Sequence, residues 1–167
     1  APLSHKDIKI YYYLPTTGSL ESMPILFAMH GASRNGKYQI DTWKNIASQR
    51  KFMLFAPQLS KPINSSDKSH FSSTEYQFGG VSQKTSSFIP VPEEQWTYQI
   101  LEALFDFVKV ATNSRETHYN LWGHSAGGQW THRFLIYMKN ARVRKAVASN
   151  AGSYTIPDVN GLVKNGV

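Results

Sequence analysis

Gly123-His124-Ser125-Ala126-Gly127-Gly128 is the stretch on which the reading of this chain turns. Tyr119-Asn120-Leu121-Trp122 leads into it and is mostly apolar, which predicts a short buried strand. Behind it, Trp130, Phe134 and Met138 recur every four residues, the stripe of a helix packed on a core. A strand, a tight turn with serine at its apex and then a helix form the context in which G-x-S-x-G carries a nucleophile. The glycines have a physical task there, because a side chain two residues before or after the serine would strike the neighbouring strand or helix. The helix start brings unpaired N–H groups and the positive end of a dipole to where an oxyanion would form. G-x-S-x-G arises by chance in about 5% of chains of this length, and its bland alternative is a helix entry with serine as N-cap. The flanking strand and helix favour the first reading.

Working outward, residues 8–14 are rich in aromatic and β-branched side chains and predict a strand that stops at Pro15. Residues 24–30 form a continuous apolar run, the mark of a strand buried on both faces of a parallel sheet. The run ends in a Gly-containing loop, His30-Gly31-Ala32-Ser33-Arg34-Asn35-Gly36. A helix is predicted over residues 38–50 with Ile40, Trp43 and Ala47 on one face, and residues 52–56 read as another buried strand. Residues 57–92 are long, irregular and rich in Ser, Lys, Asn and Gly, and are expected to border the site as a long loop or partial lid. Pro92-Glu93-Glu94 opens the next predicted helix, which runs to Thr112 and ends at Asn113-Ser114. Residues 145–149 form the next strand, followed by a loop over residues 150–158. Strands alternating with helices predict right-handed βαβ units in a mostly parallel sheet with helices on both faces. The loop after His30, the serine turn and the loop after Ser149 then share the carboxyl edge of the sheet, where ligands bind.

Composition excludes several classes. With 167 residues, 41% of them hydrophobic and 13% aromatic, the chain can build one globular domain and is not disordered. No apolar run reaches the length of a membrane span. Cysteine is absent, which removes disulfides, thiolate catalysis and Cys-ligated metals. No histidine pair shows ligand spacing with an acid, so neither a metal nor a cofactor is expected. The net charge of +7 suggests a mild preference for anionic surfaces or substrates, but the basic residues are scattered and give no nucleic-acid footprint. The chain starts without Met, and with its Ser/Thr/Tyr-rich texture this favours a secreted or periplasmic setting over a cytoplasmic one.

The chain resembles the α/β-hydrolase superfamily, on the strength of Leu26-Phe27-Ala28-Met29-His30-Gly31 after a buried strand and of Gly123 to Gly128. The finer pattern is similar to serine esterases of the polyhydroxyalkanoate depolymerase and feruloyl esterase type, which residues 150–158 also suit. The resemblance implies an α/β-hydrolase fold in a single domain over residues 1–167, and a serine that attacks an ester carbonyl to form an acyl-enzyme. It assigns Ser125 as nucleophile, the Ala126 N–H as one oxyanion donor and the Ala32 N–H as the second, with Ser33 as fallback. His30, Gly31, Ser33, His124 and Tyr154 are expected around the bound substrate, with His30 holding the loop by hydrogen bonds rather than acting as base. Trp122, Trp130 and Tyr154 are either pocket walls suited to aryl or apolar acyl groups or simply core packing. The substrate is expected to be a small-molecule or polymeric ester.

The chain departs from that family in one respect. There, the triad acid and histidine follow the serine, but His132 is the one histidine after Ser125, seven residues into the next helix. Asp158 is a weak candidate for the acid, its alternative role being a turn residue after Pro157. A sheet that ended at Ser149 would also leave an apolar parallel strand as an open edge. The fold is therefore expected to be truncated after the strand that follows the serine helix, with a C-terminal remainder carrying the acid and the base. The rivals are a non-catalytic binding module or inactive fragment on a hydrolase scaffold, and a lipase or peptidase of the same superfamily.

Overall fold

The computed structural model describes residues 3–83 and 89–155. Its strands are β1 (Lys9–Tyr13), β2 (Ile25–Met29), β3 (Met53–Gln58), β4 (Tyr119–His124) and β5 (Val143–Ser149). They form one sheet in the order β1-β3-β2-β4-β5, with β1 antiparallel to β3 and the other pairs parallel. The helices are α1 (Gly36–Arg50), α2 (Ser73–Gln77), α3 (Gln99–Thr112) and α4 (Ala126–Tyr137).

The apolar runs have the double burial expected of them. Ile25, Phe27 and Met29 enter one core with Met53, Phe55, Tyr119 and Leu121, and that core is closed by α3 and α4. The intervening Leu26, Ala28, Leu54 and Ala56 meet Ile40, Trp43 and Ala47 of α1 on the opposite face. A period of two places every second residue on each face, so a strand covered on both sides must be apolar throughout. The stripe on α4 is deep: Trp130 stacks on Phe134 at 4.8 Å, and Tyr98 meets both rings edge-on.

Two regions depart from the sequence expectation. The helix expected from Pro92 starts at Gln99; Glu93–Gln95 makes a short 3-10 turn instead. Thr97 donates its N–H to Gly79 O at 2.8 Å and the Trp96 indole donates to Val91 O at 2.7 Å. These tertiary bonds hold the backbone at Trp96 extended, overriding the local helical pattern. Residues 57–92, expected as a loop or partial lid, contain α2, whose Ser72 and Glu75 cap each other's backbone in a capping box. Phe71, Tyr76 and Val81 of this segment are buried in the main core. Among the described residues, no strand pairs with the outer edge of β5, where Val147 is 55% exposed. No helix among the described residues is long and apolar enough to cross a membrane.

Candidate active site

From β2 the chain turns one way, to β3; from β4 it turns the other, to β5. That reversal falls between the carboxyl ends of β2 and β4, the place where open α/β sheets bind ligands. The two segments singled out in the sequence, His30 to Gly36 and His124 to Gly128, both emerge there.

Ser125 joins β4 to α4 with φ 56° and ψ −117°, a conformation that costs a residue with a Cβ about 1–3 kcal/mol. Its N–H donates to Ser149 O at 2.9 Å, and its carbonyl accepts from Gln129 N at 2.9 Å. Its hydroxyl has no hydrogen-bond partner among the described residues. The glycines permit the turn by close approach. A Cβ on Gly123 would sit 2.1 Å from Gly127 O, one on Gly127 would sit 2.3 Å from Met29 O, and one on Gly128 would sit 2.7 Å from Ser149 O. Ala126 is the first residue of α4, so its N–H has no acceptor within the helix.

The loop after β2 runs directly beside this turn. A Cβ on Gly31 would lie 3.7 Å from both His124 O and the Ser125 Cβ. Arg34 N–H donates to Gly31 O at 3.0 Å and closes a turn whose tip, Ala32 and Ser33, is exposed. Their N–H groups meet no acceptor among the described residues. Arg34 follows with φ 57°, and Asn35 then caps α1 by accepting from Tyr38 N at 2.9 Å.

His30 is fully buried beneath the loop, with both ring nitrogens engaged. Nε2 accepts from Leu59 N–H at 3.0 Å, so the proton resides on Nδ1, which donates to Gly31 O at 3.1 Å. Burial lowers its pKa from 6.5 to about 4. His30 thus faces the protein, as a loop-holding residue would, and does not reach the surface beside Ser125. His124 is exposed, with its ring stacked on Trp122 at 6.2 Å. Trp122 in turn packs edge-on against Trp43 on the α1 side. Trp130 is core, 1% exposed.

On the other flank, α4 grips the segment after β5. His132 Nδ1 donates to Gly128 O at 3.0 Å while Nε2 accepts from Thr155 N–H at 2.9 Å. Burial lowers the His132 pKa. Arg133, 2% exposed, donates to Thr155 Oγ1, Ser153 Oγ, Gln129 Oε1 and Gln77 O, and lies over the Phe78 ring. No carboxylate pairs with it among the described residues. Tyr154 is half-exposed, with its hydroxyl on Ala148 O and Ala151 N and its ring 5.0 Å from His132. Gln129, Arg34, Tyr76 and Arg133 are site-supporting residues that sequence reasoning did not reach. Among the described residues, no histidine hydrogen-bonds Ser125: His70 is held by Asp67 at 2.7 Å and His118 by Thr117 at 2.9 Å. Asp158 lies outside the described residues.

The sheet order, the helices on both faces and the serine turn at the reversal are those of the α/β-hydrolase fold, and solved structures carry the comparison further. The chain is similar to poly(aspartic acid) hydrolase-1 from Sphingomonas sp. KT-1, with 36% identity and a TM-score of 0.79 over 92% of this chain and 55% of that one. It is also similar to a poly(3-hydroxybutyrate) depolymerase from Bordetella parapertussis, at 27% identity and a TM-score of 0.80 over 98% of this chain and 54% of that one. An acetyl xylan esterase from Aspergillus awamori, 12% identical with a TM-score of 0.63, shares the fold. The chain therefore spans just over half the length of these hydrolases and esterases of the α/β-hydrolase superfamily. No family model matches the chain, and no curated protein does.

Proposed function

We propose that the chain is the nucleophile-bearing part of a serine hydrolase that cleaves carboxylic esters through an acyl-enzyme on Ser125. The observation that carries this reading is Ser125 itself, held at φ 56° at a strand-to-helix turn beside the Gly31 loop, its hydroxyl unengaged among the described residues. A strained serine between three close-packed glycines is a nucleophile elbow in form.

In the proposed reaction a base takes the Ser125 hydroxyl proton as Oγ attacks the ester carbonyl carbon. The carbonyl oxygen becomes an oxyanion held by the N–H groups of Ala126 and Ala32, with Ser33 as the fallback donor. Each fixed donor is worth about 3 kcal/mol in the transition state. Collapse expels the alcohol, which takes the proton from the base, and water then releases the acid by the same steps in reverse order. Gly31 (beside the serine), His124 and Tyr154 are proposed to border the bound substrate, and His30 to support the loop from below.

The base and the acid are proposed to come from polypeptide outside the described residues, because His30 and His132 already use both ring nitrogens. Without them Ser125 keeps a high pKa and attacks poorly. The substrate is proposed to be a small or polymeric ester. The likeness to a poly(aspartic acid) hydrolase keeps a peptidase-type alternative in view, and a net charge of +7 suits an anionic chain. The test is hydrolysis of p-nitrophenyl esters by the protein in its native length. Turnover lost in Ser125→Ala supports the reading, and unchanged turnover in that variant overturns it. Binding of an ester polymer without turnover in either protein would favour the rival, a binding module on a hydrolase scaffold.

A further inference from the structure

We infer that Tyr76 and Arg34 are positioning residues that aim the Ala32 N–H at the developing oxyanion, an inference that rests on the roles proposed for Ser125 and Ala32. In a trans peptide the C=O and the N–H of the next residue point in opposite directions. Whatever fixes the Gly31 carbonyl therefore fixes the Ala32 N–H. Gly31 O is pinned twice, by His30 Nδ1–H at 3.1 Å and by Arg34 N–H at 3.0 Å. Both donors are themselves held from residues 59–76. The Tyr76 hydroxyl, fully buried and 46 residues away in sequence, donates to His30 O at 2.5 Å. Its ring packs on the His30 ring at 4.6 Å and under the Arg34 guanidinium at 4.0 Å. The guanidinium, 6% exposed, donates to Leu59 O at 2.6 Å and Ser72 O at 3.4 Å, which holds Arg34 at φ 57°. Burial keeps the Tyr76 phenol protonated, hence a donor. A buried tyrosine, a buried arginine with no ion pair among the described residues and a histidine fixed in one tautomer converge on two consecutive peptide groups. The second of these peptides, Gly31–Ala32, presents the Ala32 N–H at the tip of the loop beside Ser125.

The experiment uses the protein in its native length. Tyr76→Phe keeps the ring and deletes the donor. Steady-state ester hydrolysis should show kcat reduced about tenfold to a hundredfold with KM little changed. Affinity for phenylboronic acid, which forms a tetrahedral adduct on a reactive serine, should fall in parallel. Tyr98→Phe is the matched control, since Tyr98 Oη is buried with no hydrogen-bond partner among the described residues, and it should leave both quantities unchanged. Arg34→Lys cannot span both carbonyls and should reproduce the Tyr76→Phe pattern; it decides the matter if Tyr76→Phe does not fold. Wild-type kcat and boronate affinity in these variants, with turnover still lost in Ser125→Ala, would overturn the positioning role alone. Turnover that survives Ser125→Ala would overturn the nucleophile reading and this inference with it.

Discussion

Ser125 is tied to Ser149: the backbone N–H of the first donates to the carbonyl oxygen of the second at 2.9 Å. This bond takes the serine's own N–H out of use and locks the turn to the end of β5. The next N–H in the chain, that of Ala126, then remains at the head of α4 with no acceptor inside the helix. A single backbone bond thus separates a structural donor from the proposed functional one.

Backbone strain at Ser125 predicts a trade between stability and activity. Ser125→Gly should relieve about 2 kcal/mol of strain at φ 56° and lose about 1 kcal/mol to the freer unfolded chain. The variant should melt a few degrees higher than the parent while its ester turnover vanishes. Thermal unfolding followed by circular dichroism checks this, and a lower melting temperature would show that the turn is not strained.

Gly127 and Gly123 should not tolerate alanine. The added methyl would meet Met29 O at 2.3 Å in the first case and Gly127 O at 2.1 Å in the second, and both obstacles are backbone. Each substitution should cost about 3 kcal/mol, at the upper end of overpacking effects. Gly31→Ala should be mild by comparison, because its nearest neighbours lie at an ordinary 3.7 Å. Urea denaturation of the three variants tests the ranking.

Stability should fall in mild acid through His30. Its pKa is about 4 when folded and 6.5 when unfolded, so between those values the unfolded chain binds more protons. The contribution is fully present above pH 6.5, declines as pH falls and is gone near pH 4. The shift corresponds to about 3 kcal/mol. His132, also lowered by burial, acts with the same sign. Denaturant midpoints measured across this range should show a slope that flattens in His30→Asn. An unchanged slope would mean that His30 does not stay neutral in the folded protein.

Arg133 should hold the segment after β5. Arg133→Met removes the donors to Gln77 O, Gln129, Ser153 and Thr155 and should cost about 2 kcal/mol or more. Hydrogen exchange should accelerate at residues 150–155 well before it does in β4. Equal protection in the parent and in Arg133→Met would assign the anchoring to the Thr155 N–H bond to His132 instead.

Much of this was legible in the sequence because it follows from local pattern. The apolar run of residues 25–29 could serve only a doubly covered strand, and Trp130, Phe134 and Met138 could serve only one helix face. The serine turn was legible because its glycines are adjacent in sequence to the serine they serve. The supporting shell was not, since Tyr76 and Arg34 meet 42 positions apart and Arg133 binds partners on α2, α4 and the segment after β5. The short α2 had a visible signal in Ser72-Ser73-Thr74-Glu75, a capping box. The late start of α3 had none, because the Gly79–Thr97 bond that delays it is tertiary.

The most direct test of the central claim is covalent labelling of the protein in its native length with a fluorophosphonate, followed by peptide mapping. One adduct on Ser125, absent in Ser125→Ala and slowed in Tyr76→Phe, is the predicted result. A folded protein that takes no label, or takes it on another serine, would contradict the assignment of Ser125 as nucleophile.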